Sequence, residues 1–235
     1  MPTKEQDLDL TECPGCGAEY EALGSHWAQG GCDYPPLDPY EDIITGLLMG
    51  DGSINRMNGR NPALHVTTTE EDFAQHLCDV FGPITSSVGQ YDASEIEGKF
   101  GSEVQHVFRT RRHPGFDRWA AWYDGGQKRF PETVEISSTT INYWYAGDGT
   151  FPDRDGRLPE ARIATLNEIS RINWLRDLIE EQTGLVASTY GKGLYFNSSD
   201  AVELFDRIVP LPGYEYKYPD QDEIEQLRDA QGVDA

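Results

Sequence analysis

At 235 residues the chain is long enough to bury a sizeable core in one large domain or two small ones, and it has no apolar run of the length needed to span a bilayer. Acidic residues outnumber basic ones 41 to 19, for a formal net charge of −22, so the body as a whole repels nucleic acid and any such affinity must rest on local positive charge. The depletion of lysine to five residues (Lys4, Lys99, Lys128, Lys192 and Lys217) and the even spread of acids fit a host with high internal salt, where self-repulsion is screened; an ordinary acidic protein is the alternative.

The opening MPTKEQDLDL is polar and acidic, unlike a signal or transit peptide, and a cytoplasmic location is expected. Residues 1–11 read as a disordered tail. Residues 12–33 carry Cys13, Cys16, His26 and Cys32 in a C-x2-C-x9-H-x5-C spacing. Three thiolates and an imidazole make a closed tetrahedral set for structural Zn2+. Cys13-Pro14-Gly15-Cys16-Gly17 has the composition of a knuckle turn. So short and polar a segment needs a metal to fold; free thiols beside an unrelated histidine are the alternative, and His26 has the least standard spacing. Cys78 lies beside the apolar face of a helix and reads as a core residue.

Residues 34–40 form a proline-stiffened linker. The next stretch, Ile44-Thr45-Gly46-Leu47-Leu48-Met49-Gly50-Asp51-Gly52, is an apolar helix that stops at a glycine beside a carboxylate. After it come a hairpin (53–57 and 63–68, turning at 58–61), a helix over 70–81, strands near 85–91 and 104–109, and a helix over 116–123. Ile141-Asn142-Tyr143-Trp144-Tyr145-Ala146-Gly147-Asp148-Gly149 then repeats the first motif, with its aspartate 97 positions later. The order of elements repeats as well. A strand at 162–166, a helix over 167–183, strands at 186–190 and 194–197 and a helix over 199–208 follow, and Pro62 and Pro159 each lie eleven residues after their aspartate. The fold class is therefore α+β, a tandem αββαββα repeat over 41–132 and 133–218, with an acidic, frayed tail over 219–235.

The two Gly-Asp-Gly runs resemble the paired motifs of the LAGLIDADG homing endonucleases, the second being similar to the aromatic "AYWYxDDG" variant of the monomeric, two-repeat branch. Phe108-Arg109-Thr110, His113-Pro114, Trp122-Tyr123 and Lys128-Arg129-Phe130-Pro131 resemble the stretch preceding the second motif there, and Tyr216-Lys217-Tyr218 its closing element. The similarity runs over about residues 41–218 and leaves out the knuckle.

The resemblance implies two motif helices packed through the small residues Gly46, Gly50, Ala146 and Gly147, with Tyr143 making the seam asymmetric. It brings Asp51 and Asp148 together at the negative helix ends, where the carboxylates and the carbonyls of Gly50 and Gly147 would hold Mg2+ or another divalent cation such as Mn2+. Lys128 and Lys217 match the family's active-site lysines. The implied activity is site-specific cleavage of both strands of a DNA duplex gripped in the major groove by a saddle of two sheets. Arg56, Arg60, Arg109, Arg111, Arg112, Arg154, Arg157, Arg162 and Lys192 are the candidate DNA-binding residues. No residue pattern at either end marks an intein. A non-cleaving RNA maturase or DNA-binding regulator on the same fold is the rival reading.

Overall fold

The computed structural model describes residues 10–57, 59–92, 104–151 and 160–230. The candidate DNA-binding residues Arg154 and Arg157, the first part of the expected N-terminal tail and the last five residues lie outside them. Among the described residues, no helix is long and apolar enough to cross a membrane.

The N-terminal module consists of β1 (Thr11–Glu12) paired antiparallel with β2 (Glu19–Tyr20), then α1 (Leu23–Ala28). Its own core holds just three buried apolar residues, Cys13, Leu23 and Trp27. That is too little burial to offset the conformational entropy of an ordered module. The linker docks it on the next domain. Tyr34 accepts a hydrogen bond from Asn61 at 3.2 Å and meets the His113 ring edge-on at 4.8 Å. His113 Nε2 donates to the Pro35 carbonyl at 2.8 Å while its Nδ1 accepts from the Gly115 amide at 2.9 Å, an arrangement that needs the neutral ring.

The first repeat runs α2 (Glu41–Met49), β3 (Ser53–Asn55), β4 (Ala63–Thr68), α3 (Glu71–Phe81), β5 (Thr85–Asp92), β6 (Val104–Thr110) and α4 (Asp117–Ala120). The first repeat closes with a small hairpin, β7 (Tyr123–Asp124) and β8 (Gln127–Lys128). The second repeat runs α5 (Ser138–Asp148), β9 (Gly149–Thr150), β10 (Ala161–Ala164), α6 (Ile172–Thr183), β11 (Ser188–Tyr190), β12 (Gly193–Phe196) and α7 (Ser198–Phe205), with α8 (Gln221–Ala230) closing the chain. Each repeat makes a four-stranded antiparallel sheet, ordered β3-β4-β6-β5 and β11-β12-β10-β9. Period-two alternation turns Leu64, Val66 and Phe108 inward in the first sheet and Ala161, Ile163, Leu194 and Phe196 inward in the second. One apolar core runs through both repeats.

Helices α2 and α5 form the seam. A Cβ on Gly46 would run into the Thr140 carbonyl oxygen and lie 2.9 Å from Tyr143 Cβ. Tyr143 occupies the position in its motif that Gly46 occupies in the first, so glycine on one side is the condition for tyrosine on the other. The tyrosine hydroxyl reaches His76 Nε2 at 2.9 Å. At the other end of the seam the Ser137 side chain caps α5 at the Thr140 amide and donates to Asp42 Oδ2 at 2.8 Å.

Three expectations from the sequence are corrected. The helix expected over 116–123 is a single turn, because the chain reverses at Gly125 and Gly126, both at positive φ (55° and 87°), and returns as the β7–β8 hairpin. The helix expected over 167–183 begins as a 3-10 turn and becomes α-helical only at Ile172, with Glu168 held out of helical geometry. Its buried carboxylate accepts from the Phe130 amide at 2.6 Å and pairs with Arg171 at 2.7 Å. The tail expected to fray is helical over 221–230. Asp220 and Glu223 exchange backbone-to-side-chain hydrogen bonds at 2.8 Å, a capping box, and Arg228 pairs with Asp206 at 2.6 Å.

Gly46→Ala is expected to lower unfolding free energy by about 1–3 kcal/mol through overpacking. Gly50→Ala should cost less, since a Cβ there would meet nothing closer than 3.5 Å. Chemical denaturation of the two variants side by side measures the difference.

Candidate active site and metal centre

The C-terminal ends of α2 and α5 lie against each other. A Cβ on Gly147 would sit 3.3 Å from the Asp51 amide nitrogen, 3.5 Å from the Gly50 Cα and 3.6 Å from Asp51 Oδ2. Two helix ends, whose last carbonyls have no partner within the helix, and two carboxylates therefore share one spot. The aspartates are not equivalent. Asp51 is exposed, whereas Asp148 is half-buried. Burial, followed by the Asp51 charge, pushes the Asp148 carboxyl up to about 6, against the opposing pull of Lys128.

Each helix end is met by one lysine of its own repeat. Lys128, carried on β8, donates to the carbonyls of Gly50 at 2.8 Å and Gly52 at 3.0 Å. Lys217 donates to those of Ala146 at 2.6 Å and Gly147 at 2.8 Å, and its ammonium stands 4.5 Å from the Tyr214 ring. The carbonyls of Gly50 and Gly147, expected to ligate a divalent cation, are thus engaged by ammonium groups. Burial pulls Lys128 down to about 8, with Asp148 and Asp51 opposing, and lowers Lys217 in the same way.

Side chains with no signature in the sequence hold these lysines in place. The Tyr145 hydroxyl donates to the Lys217 carbonyl at 2.8 Å, and Tyr218 donates to Asn142 Oδ1 at 3.1 Å. For Lys128, Glu168 and Arg171 grip both backbone polar groups of Phe130, two residues past that lysine. The aromatic character of the second motif was visible, but the bonds its hydroxyls make were not.

The two aspartates open onto the exposed sheet faces. Asp51 borders a hollow of about 370 Å³ with Thr67, Gln105, Tyr216 and Lys217. Asp148 borders one of about 290 Å³ with Thr150, Arg162, Tyr190 and Lys192. The outward row of the first sheet includes Ser53, His65, Arg109 and Ser87; that of the second includes Thr150, Arg162, Tyr195 and Ser188. Arg109 is exposed there. Arg162 pairs with Glu160, onto which Tyr195 also donates. Arg56 pairs with Asp117 at 2.7 Å. Arg60 is exposed at the outer end of the β3–β4 hairpin. Arg111 and Arg112 sit off the sheet faces: Arg111 donates to the Pro83 carbonyl at 3.0 Å and to Thr11 at 3.4 Å, and Arg112 to the Asn61 carbonyl at 2.8 Å.

Residues 41–177 match the model of the LAGLIDADG DNA endonuclease family. The chain belongs to that family. Among solved structures, the homing endonuclease I-WcaI bound to its DNA recognition sequence is 17% identical, with a TM-score of 0.71 over 88% of this chain and 96% of that one. The I-SmaMI LAGLIDADG homing endonuclease bound to cleaved DNA is 13% identical, with a TM-score of 0.50 over 84% and 91%. Both likenesses show the shared LAGLIDADG fold. No curated protein matches the chain in sequence.

The second cluster lies outside the LAGLIDADG match. The ligand atoms of Cys13, Cys16, His26 and Cys32 lie within 4.8 Å of one another, and Cys16 Sγ is 3.7 Å from His26 Nε2. A tetrahedral Zn2+, with Zn–S of about 2.3 Å and Zn–N of about 2.0 Å, sets ligand-to-ligand edges of roughly 3.5–3.8 Å. A Cβ on Gly31 would run into the His26 ring, so glycine there lets the imidazole reach the sulfurs. One sulfur ionises readily, Cys13 being brought down to about 6, against burial, by hydrogen bonds, whereas burial, then hydrogen bonding with the Cys16 and Cys13 sulfurs, pushes the Cys32 thiol up to about 11. Three sulfurs this close resist becoming three thiolates without a cation to neutralise them.

The raised Asp148 carboxyl has a signed consequence for stability. Below about pH 4 the group is protonated folded or unfolded and contributes nothing; above about 6 it is charged in both, and the folded state carries the full penalty. Stability thus declines through this group as pH rises from about 4 to about 6. Asp148→Asn should remove that slope and stabilise the protein at pH 7 by up to about 3 kcal/mol. Melting wild type and variant across that range, without added divalent cation, gives the comparison.

Proposed function

We propose that the chain is a monomeric, site-specific endonuclease of the homing type that cuts both strands of a DNA duplex. A divalent cation such as Mg2+ or Mn2+ would be held at Asp51 and Asp148. The observation that carries this reading is the convergence of two helix ends, two aspartates and two half-buried lysines at one point between two sheets. Positive groups already collect there, with both ammoniums lodged on the helix-end carbonyls. The donor set, hard oxygens with a carboxylate from each repeat, suits a hard divalent cation.

When bound, the cation would supply charge neutralisation and Lewis acidity for phosphodiester hydrolysis. The chain's own residues do the rest. Asp51, the more exposed carboxylate, faces the hollow on the first sheet, and Asp148 the hollow on the second. Lys128 and Lys217 put fixed positive charge where a phosphate gains negative charge, at sites from which burial removes most competing water. Arg109, Arg162 and Lys192 lie where the exposed sheet faces would meet the major groove, with Arg56 on the first hairpin, whereas Arg60 at that hairpin's outer end lines the groove beside the N-terminal module with Arg111 and Arg112. Arg111 and Arg112 are engaged at the base of the N-terminal module. In this reading the Cys13, Cys16, His26 and Cys32 cluster holds one structural Zn2+. The acidic body with few lysines supports a host with high internal salt.

The test is cleavage of the uninterrupted host locus as duplex DNA, with Mg2+ and at high salt. Wild type should cut both strands. Asp51→Asn and Asp148→Asn should bind without cutting, and Lys128→Ala and Lys217→Ala should each slow cleavage by about 10²-fold or more. Wild type that binds and never cuts would favour the regulator or maturase reading instead.

For the N-terminal cluster, metal analysis of the purified chain should find one zinc per molecule. Cys13→Ser should lose it, with the module becoming protease-sensitive while residues 41–218 stay folded. A Cys13→Ser protein that keeps its zinc rules out this ligand set.

A further inference from the structure

The N-terminal module and the first repeat enclose a groove that the proposed cleavage reaction does not use. It has a volume of about 540 Å³. One wall is the surface of α1 and its N-cap Ala22, presenting Gly24, Ser25 and Ala28; the other carries Arg60, Arg111 and Arg112 beside Asn61. No carboxylate lines it among the described residues, although acids outnumber bases 41 to 19 in the whole chain. The α1 wall is small and uncharged, which permits close approach. The facing wall concentrates three positive charges on a strongly negative body.

These guanidiniums retain donor capacity. Arg111 uses Nε on the Pro83 carbonyl and one amino group on Thr11, and Arg112 uses one amino group on the Asn61 carbonyl. A guanidinium has more donors than these bonds consume. The exposed Arg60 guanidinium has no ion pair or hydrogen bond to any described residue, since the backbone amide alone donates, to the Met57 carbonyl at 3.1 Å. The three bonds also fix the geometry: Arg111 spans β1 and the segment before β5, so the groove exists only while the module is folded and docked.

We propose that this groove binds the phosphodiester backbone of duplex DNA flanking the cleavage centre on the first repeat's side, with the zinc-bound knuckle as its outer wall. The inference rests on the DNA-binding reading of the sheets and extends it beyond them. Charge complementarity selects a polyanion. Position selects the flank of the same duplex: Arg60 lies nine residues beyond Asp51, so at most about 30 Å away, a reach of about nine base pairs along a duplex rising about 3.4 Å per pair. In a chain this acidic, a second cationic surface off the sheets adds grip on the backbone without adding base readout.

The test is binding of mixed-sequence duplex DNA by the full-length, zinc-loaded chain, followed by fluorescence anisotropy through a salt titration. Arg60→Ala and Ser25→Glu are each expected to flatten the plot of log affinity against log salt by about one phosphate contact, with zinc content unchanged. Arg60→Lys should keep the wild-type slope. Zinc-stripped wild type should lose at least as much slope as Arg60→Ala. Arg109→Ala, on the exposed sheet face, is the comparison. If it flattens the plot while Arg60→Ala and Ser25→Glu do not, the groove assignment is overturned and the sheet reading stands. If wild type binds no duplex at all, both are overturned. An unchanged slope after zinc removal overturns the knuckle's part in the groove.

Discussion

Two helices that end at the same point with a carboxylate each create a concentration of negative charge, and most of the surrounding architecture compensates for it. The seam between α2 and α5 aligns their carbonyl ends, so the partial charges of two helix termini add to those of Asp51 and Asp148. Water cannot relieve this fully, because Asp148 is half-buried. The protein's own answer is a pair of ammonium groups. Each lies on the carbonyls of its repeat's motif helix, and each is buried enough that its pKa falls. A half-buried lysine is costly unless paired, and a half-buried carboxylate such as Asp148 beside a second one is costly unless neutralised. Bringing the two together offsets part of both penalties.

This constraint explains why so many polar contacts are spent far from the aspartates. Lys128 stands at the end of a two-residue strand, too little structure to fix an ammonium by itself. Its position depends on the gripping of Phe130 by Glu168 and Arg171, and on the Arg129 amide donating to the Trp122 carbonyl at 2.8 Å. Glu168 is 1% exposed. A fully buried carboxylate is tolerable because it accepts from a backbone amide and a guanidinium at once. Lys217 is fixed through Tyr145 and Tyr218, so the aromatic residues of the second motif serve packing and polar positioning together.

The parts legible in the sequence are those written in local periodicity: the apolar motif helices, the alternating strands, the repeat order and the cysteine spacing. The parts missed are those in which a residue type acts against its usual habit. Glu168 reads as a surface residue in a helical pattern, yet it breaks the helix by turning inward. Trp119, Trp122 and Tyr123 have helical spacing, but Gly125-Gly126 carried a hairpin signal that outranked it. Asp220 and Glu223 likewise carried a capping-box signal within a tail whose acidity reads as disorder. The arginines were the least legible. Their positions marked a basic surface, but Arg56, Arg162, Arg171 and Arg207 are each paired with a carboxylate of the chain itself, and pairing depends on tertiary placement.

That pairing bears on how an acidic protein would hold a polyanion. Where a body of net charge −22 neutralises many of its own guanidiniums, the surface positive charge left for a partner is sparse, and its location matters more than its amount. At high ionic strength each exposed charge acts over only a few ångströms, so a distant carboxylate does not repel and a distant arginine does not attract. Contact geometry then decides. The cationic side chains that matter are those already held at a fixed place by the fold, such as Arg109 on its strand and Arg111 clamped between Pro83 and Thr11. An acidic coat and a nucleic-acid-binding fold are compatible under those conditions because screening separates the charge that governs hydration from the charge that makes contact.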